Sequence, residues 1–291
     1  MQLLNTLLSG LTTGAVYAAF ALALVLIWRS TRIVNFAQAP MAMVTTLLAL
    51  DLIDAGYSYW VAGAVALLAG LVLGAAVEFL LVRRVDQTSH INPVILTLGL
   101  FVVLHAAAAI IFSSQFRSFP APFSIRGIEV GGTTIGIGPA NLFTIAAVAV
   151  TMVLLLLLFR FTDLGLKMRA SAFNQEVAKL LGVRVGSMLT LGWALAAVVG
   201  SLSGLLIAGG GLVHPGYMDP VVVYGFVAAV LGGLDSPVGA VVGGLLLGLS
   251  LALVSGYVGS QLVPLAALAI LMLILTLKPG GLFSQAQARR V

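Results

Sequence analysis

Side chains able to do chemistry are few in this chain, and they fall in three separated stretches. One is residues 30–40, STRIVNFAQAP, where Asn35, Gln38 and Pro40 interrupt the start of a hydrophobic segment. The second, Gly232-Gly233-Leu234-Asp235-Ser236-Pro237, breaks another hydrophobic segment late in the chain. The third is the interval 160–186, with five basic residues (Arg160, Lys167, Arg169, Lys179, Arg184) against Asp163 and Glu176. The first two could offer amide dipoles and bare backbone to a small polar solute, because glycine lets backbone amides approach a ligand closely. The third offers a cationic surface.

None of these stretches supports catalysis. Lys167, Lys179 and Lys278 are not followed by Ser or Thr, so the phosphate-binding G-x-x-x-x-G-K-[ST] loop is missing, as is a zinc-binding H-E-x-x-H. With Cys 0, thiol catalysis, disulfides and Cys-ligated metals drop out. Two lone ionisable groups lie in apolar surroundings. Glu78 is expected to snorkel or to pair with Arg83 or Arg84 rather than carry protons, and His105 to be a hydrogen-bonded packing residue. Acids in mid-span are nearly absent, which argues against coupling to an ion or proton gradient.

The elements that must position these residues are membrane helices. The 291 residues are 61% hydrophobic and 8% charged, with a mean hydropathy of +1.17. That composition predicts an all-α polytopic membrane bundle. A β-barrel would alternate apolar and polar residues, which these runs do not. The pI near 9.9 comes from few charges, mostly in loops; it reflects topology rather than nucleic-acid binding. Apolar segments are read at 1–27, 40–53, 60–82, 92–112, 139–159, 187–209, 221–231, 239–257 and 262–277.

The Lys/Arg distribution assigns 83–90, 160–186 and 278–291 to the cytoplasm, and 113–138 and 210–219 to the outside. The N-terminus is then outside and the C-terminus inside. The count is eight to nine helices, some of them broken or re-entrant, in a single transmembrane domain over 1–291. Small residues at Gly10, Gly14, Ala15, Ala18 and Ala19, and the pairs Gly200/Gly204, Gly239/Gly243 and Gly244/Gly248, predict close helix contacts. The stretch FSIRGIEVGGTTIGIG predicts a small outer hairpin. Two interrupted segments, one in each half, suggest a weak inverted repeat and point to a transporter's substrate path.

Within 160–186, Asn174 can cap a helix whose first turn holds Glu176 and whose last holds Lys179, with Gly182 as its stop. Phe173, Val177, Leu180 and Leu181 share one face. That helix either lies on the lipid headgroups or docks its apolar face into a partner's groove. The 33–40 segment likewise has two readings: an interfacial loop entering a helix, or a broken element lining a polar path.

An ordered set of motifs carries a family resemblance over nearly the whole chain. It comprises Gly14-Ala15-Val16-Tyr17-Ala18, Ile33-Val34-Asn35-Phe36-Ala37-Gln38, Gly165-Leu166-Lys167-Met168-Arg169-Ala170, Ala178-Lys179-Leu180-Leu181-Gly182, Leu231-Gly232-Gly233-Leu234-Asp235-Ser236-Pro237-Val238-Gly239-Ala240 and Lys278-Pro279-Gly280-Gly281-Leu282-Phe283. The chain resembles the first of the two permease subunits of bacterial branched-chain amino acid ABC importers. The resemblance implies that 160–186 is the ATPase-coupling loop, with Arg169, Ala170, Asn174, Glu176, Ala178 and Gly182 as its contact residues. It implies a translocation path at Tyr17, Asn35, Phe36, Gln38, Gly232, Gly233 and Asp235.

The implied partners are a second permease subunit (a heterodimer), two cytoplasmic ATPase subunits carrying ATP and Mg, an extracytoplasmic substrate-binding protein and membrane lipid. No cofactor is expected in this chain, and the location is the bacterial inner membrane. The chain departs from the family at two places. Val177 replaces the first Ala of E-A-A-x-x-x-G, with no I-x-L-P downstream, and Gln38-Ala39-Pro40 follows Asn-Phe-Ala where His-Gly is usual. Close relatives within the family carry urea, short amides or other small organic acids, so the resemblance implies these as alternative cargoes. An ion-coupled carrier and a non-transporting scaffold are the other readings.

Overall fold

The computed structural model describes residues 2–85, 91–130 and 133–283. Eleven α-helices are found among them: α1 (Gln2–Thr31), α2 (Gln38–Asp54), α3 (Tyr59–Leu80), α4 (Ile91–Phe112), α5 (Pro139–Phe161), α6 (Asp163–Phe173), α7 (Gln175–Leu180), α8 (Val185–Ala208), α9 (Asp219–Gly232), α10 (Pro237–Tyr257) and α11 (Val263–Leu277). Seven helices are long and apolar enough to cross a membrane: α1, α3, α4, α5, α8, α10 and α11. The two interrupted segments form the shorter helices α2, of 17 residues, and α9, of 14. With these the chain is a membrane helical bundle of nine principal helices, plus two short ones in the central basic loop.

The hub is α1, with 78% of its most apolar window enclosed, against 11% for α4 and for α11, which form the outer shell. Small residues explain the difference. Lipid tails are as apolar as leucine, so helices associate by close packing rather than by the hydrophobic effect. A Cβ added at Gly14 would sit 3.1 Å from the Leu245 backbone. Gly248 in turn presses on the Gly14 backbone, and Gly244 on Ala18. The same device joins α3 to α8, where Gly74 meets Trp193, Ala194 and Ala197.

Polar contacts close the two ends. At the inner end, buried Glu78 accepts hydrogen bonds from Arg83 (Nη2–Oε2 2.9 Å) and from the Thr190 hydroxyl (2.6 Å), while Arg83 also donates to the Gly186 carbonyl at 2.7 Å. Glu78 is a structural pair, as its position beside Arg83 suggests. At the outer end, Arg117 binds Asp51 and Asp54, both at 2.6 Å. Its hydrogen bond to Asp54 raises the guanidinium pKa further, with partial burial opposing. His105 packs on Phe101 and reaches Asp219 at 2.9 Å.

The outer hairpin forms from β2 (Ile128–Val130) and β3 (Thr133–Ile135), after a first short strand, β1 (Arg117–Ser118). A pairing not expected from the sequence joins β1 to β4 (Leu212–Val213). The loops expected inside cluster at one end of the bundle and those expected outside at the other; positions 86–90, 131–132 and 284–291 lie outside the described residues.

Candidate coupling surface and translocation segments

The basic interval folds as two helices, of which the sequence reading found one. The missed helix, α6, had a signal. Thr162 caps it by accepting from the Gly165 amide at 3.1 Å, and Asp163 lies in its first turn. Helix α7 has the expected boundaries. Asn174 Oδ1 accepts from the amides of Glu176 and Val177, both at 3.0 Å. Gly182 stops the helix at φ +80°, a left-handed conformation that favours glycine. Ala178 is buried against the bundle. The shared apolar face points the other way: Phe173 is 94% exposed, Leu180 86% and Leu181 75%.

The first interruption is a knot of side-chain amides. Asn35 Oδ1 accepts from the Ala37 amide at 3.0 Å, and its Nδ2 donates to Gln38 Oε1 at 3.1 Å. Gln38 Nε2 donates to the Ala196 carbonyl of α8 at 2.8 Å. Gly200 leaves room for that side chain, since a Cβ there would collide with Nε2. Asn35 and Gln38 are both buried, and Phe36 is half-buried. Helix α2 therefore begins at Gln38 rather than at Pro40, which sits harmlessly in the first turn where no amide donor is needed.

The second interruption is a knot of backbone. Gly233 has φ +102°, and Gly232 abuts the Gly239 carbonyl of α10. The turn that follows α11 folds back onto this spot: the Leu282 amide donates to the Leu231 carbonyl at 2.8 Å and the Phe283 amide to the Gly232 carbonyl at 3.1 Å. Two motifs far apart in sequence, 231–240 and 278–283, are thus a single piece of structure. Ser236 caps α10 through the Gly239 amide at 2.9 Å.

The expected path residues make different contacts. Gln38 turns to α8 with Asn35 bonded to it, and Gly232 and Gly233 turn to α10 and the 278–283 turn. The two interruptions meet through the ion pair of Arg32 with Asp235. Asp235 lines a cavity of about 820 Å³ at the inner end, together with Arg169 and Ala170 of α6. Tyr17 lines a separate cavity of about 430 Å³ near the outer end, with Asn5, Ser9 and Thr13 on the same helix. That polar stripe, recurring every four residues, was legible as a periodicity and was missed except for Tyr17. Tyr17 also contacts Tyr224 of α9, ring centroids 5.3 Å apart. Between the two cavities the core is closed by residues 20–27 of α1, all buried.

Comparison with known proteins identifies the family. High-affinity branched-chain amino acid transport system permease protein LivH of Escherichia coli (strain K12) is 26% identical over 308 residues, covering 100% of this chain and 98% of that protein. BraD of Pseudomonas aeruginosa, of the same description, is 27% identical over 305 residues, covering 99% and 98%. The structure of PsaBC from Streptococcus pneumoniae in complex with Fab matches the fold with a TM-score of 0.53 at 15% identity, over 95% of this chain and 91% of that one. The sequence profile described as branched-chain amino acid transport system / permease component matches residues 6–277. The chain therefore belongs to the branched-chain amino acid transport system permease family.

Proposed function

We propose that this chain is one of two permease subunits of an inner-membrane, ATP-driven importer for branched-chain amino acids, working with two cytoplasmic ATPase subunits and an external binding protein. One observation carries the coupling half of this reading. Phe173, Leu180 and Leu181 stand almost fully in the open on the basic side of the bundle. Exposed apolar residues grouped at the ends of two short helices mark a docking surface. ATP and Mg belong to the partner subunits, and this chain converts their movement into displacement of α6 and α7.

Because the core of α1 is packed solid, the path is assigned to the surface of this chain, at its seam with the second permease subunit. Tyr17 stands at the outer approach, Asp235 at the inner exit and half-buried Phe36 on the wall. Asn35, Gln38, Gly232 and Gly233 hold the bends behind that wall. The cargo rests on the relatives' names. A relative named fructose import permease protein FruF, of Bifidobacterium longum, matches 70% of this chain, so the scaffold alone does not fix the cargo class.

Uptake by the reconstituted complex tests both halves. Leucine, isoleucine and valine should be imported, and urea and short amides should not. Phe173→Ser with Leu180→Ser should leave the permease folded but lower uptake at least about tenfold, since interface anchors are each worth about 2 kcal/mol. Normal uptake in that variant would remove the coupling assignment; preference for urea or amides would change the cargo and leave coupling intact.

A further inference from the structure

We propose that the lipid-facing groove between α1, α5 and α10 is a binding site for one anionic phospholipid of the inner leaflet. The groove encloses about 520 Å³. Its walls are apolar: Leu26 of α1, Met152 and Leu156 of α5, and Val241 of α10. Its basic members are Arg29, Arg160 and Arg169, contributed by α1, α5 and α6.

The charge bookkeeping at this end selects the occupant. Among the described residues, Arg32, Arg83 and Arg117 pair with carboxylates, whereas Arg29, Arg160 and Arg169 have no such partner. Asp235, the carboxylate beside them, is already engaged by Arg32. Arg160 instead lies over its neighbour Phe161, 5.7 Å from the ring centroid. Arg29 and Arg169 also line the neighbouring inner cavity of about 820 Å³. The site thus has an apolar channel with Arg160 on its wall and two guanidiniums, Arg29 and Arg169, where that channel meets the inner cavity.

An anionic phospholipid matches both parts, acyl chain below and phosphate above. The apolar wall alone gives no preference, because a tail in the groove and a tail in bulk lipid are equally dry. Selectivity must come from the headgroup. Basic residues at the cytoplasmic leaflet each favour anionic lipid by roughly fivefold, and guanidiniums hold phosphate oxygens in bidentate fashion. The proposal rests on membrane orientation alone and is independent of the cargo.

The test uses the assembled importer, exchanged into detergent with equimolar phosphatidylglycerol and phosphatidylethanolamine, and retained lipid is weighed by native mass spectrometry. The wild type should keep phosphatidylglycerol in preference. Arg160→Gln, an exposed position, should lower that retention roughly fivefold, and Arg29→Gln with Arg160→Gln roughly twenty-five-fold. Val241→Trp fills the groove while keeping every arginine, and should lower retention as well. Arg126→Gln, on the outer side, should change nothing. Equal retention of the two lipids by the wild type, or unchanged retention in both the double variant and Val241→Trp, would overturn the proposal. So would retention by the isolated chain but not by the assembled importer, which would make the second permease subunit the occupant.

Discussion

The chain breaks its hydrophobic segments twice at the same end of the bundle and closes the two breaks by opposite means. At residues 33–38 the freed groups are satisfied by side chains: Asn35 and Gln38 bond to each other, to the Ala37 amide and to α8. At 232–236 there is almost no side chain to use, and backbone presses on backbone at Gly232, Gly239 and Gly281. The first closure depends on what two side chains carry. The second depends on what three positions lack. A polar group left unpaired away from water costs free energy, so each break must be closed, but the penalties for disturbing them differ.

The largest effect is expected at the backbone knot. A methyl at Gly232 would run into the Gly239 carbonyl, which cannot swing aside as a side chain can. Gly232→Ala should cost about 3 kcal/mol, seen as a lower Tm in detergent. Gly63→Ala, at an open helical position, should instead gain about 0.5–1 kcal/mol. If Gly232→Ala melts like the wild type, the two breaks are not closed differently.

The amide knot should give the next largest effect. Gln38→Leu removes the acceptor of Asn35 and the bond to Ala196, for about 2 kcal/mol. If this residue holds the bend, uptake should decline in step with Tm. Uptake abolished at an unchanged Tm would move Gln38 into the path itself.

The ionic link between the breaks should matter less. The Arg32 and Asp235 side chains are 54% and 58% exposed, and exposed pairs contribute up to about 1 kcal/mol. Arg32→Gln should therefore shift Tm little, and less in high salt. A loss well above that, insensitive to salt, would show that the two knots form one cooperative unit.

The smallest effect on stability belongs to α7. Leu180→Cys removes almost no packing and should alter stability by under about 0.5 kcal/mol. The new thiol should react with an impermeant reagent from the cytoplasmic side only. Labelling from outside in intact cells would invert the topology. Ser171, although in the same loop, is buried and would make a poor reporter.

Much of the fold was readable in one dimension because the membrane imposes one-dimensional rules. Span length, the clustering of Arg and Lys at one end, and the cap-and-stop pattern from Asn174 to Gly182 each depend on local composition, and each appears where the sequence puts it. Helix α6 escaped for the opposite reason: its Thr162 cap and Asp163 sit in a stretch whose charge reads first as loop. Pro40 misled by its identity alone, since its position in a first turn costs no hydrogen bond.

What the sequence by itself determined is therefore the class of the protein, the capped loop helix and the existence of two breaks. Only the tertiary structure decided how the breaks are closed. That Gln38 reaches Ala196, that the 278–283 turn completes the end of α9, and that Arg29, Arg160 and Arg169 converge on one groove are contacts between residues far apart in the chain. Amides and glycines look alike in sequence whether they face a solute or a neighbouring helix. The distinction is made by the partner across the gap, and that partner is fixed by the packing of small residues along α1, α8 and α10.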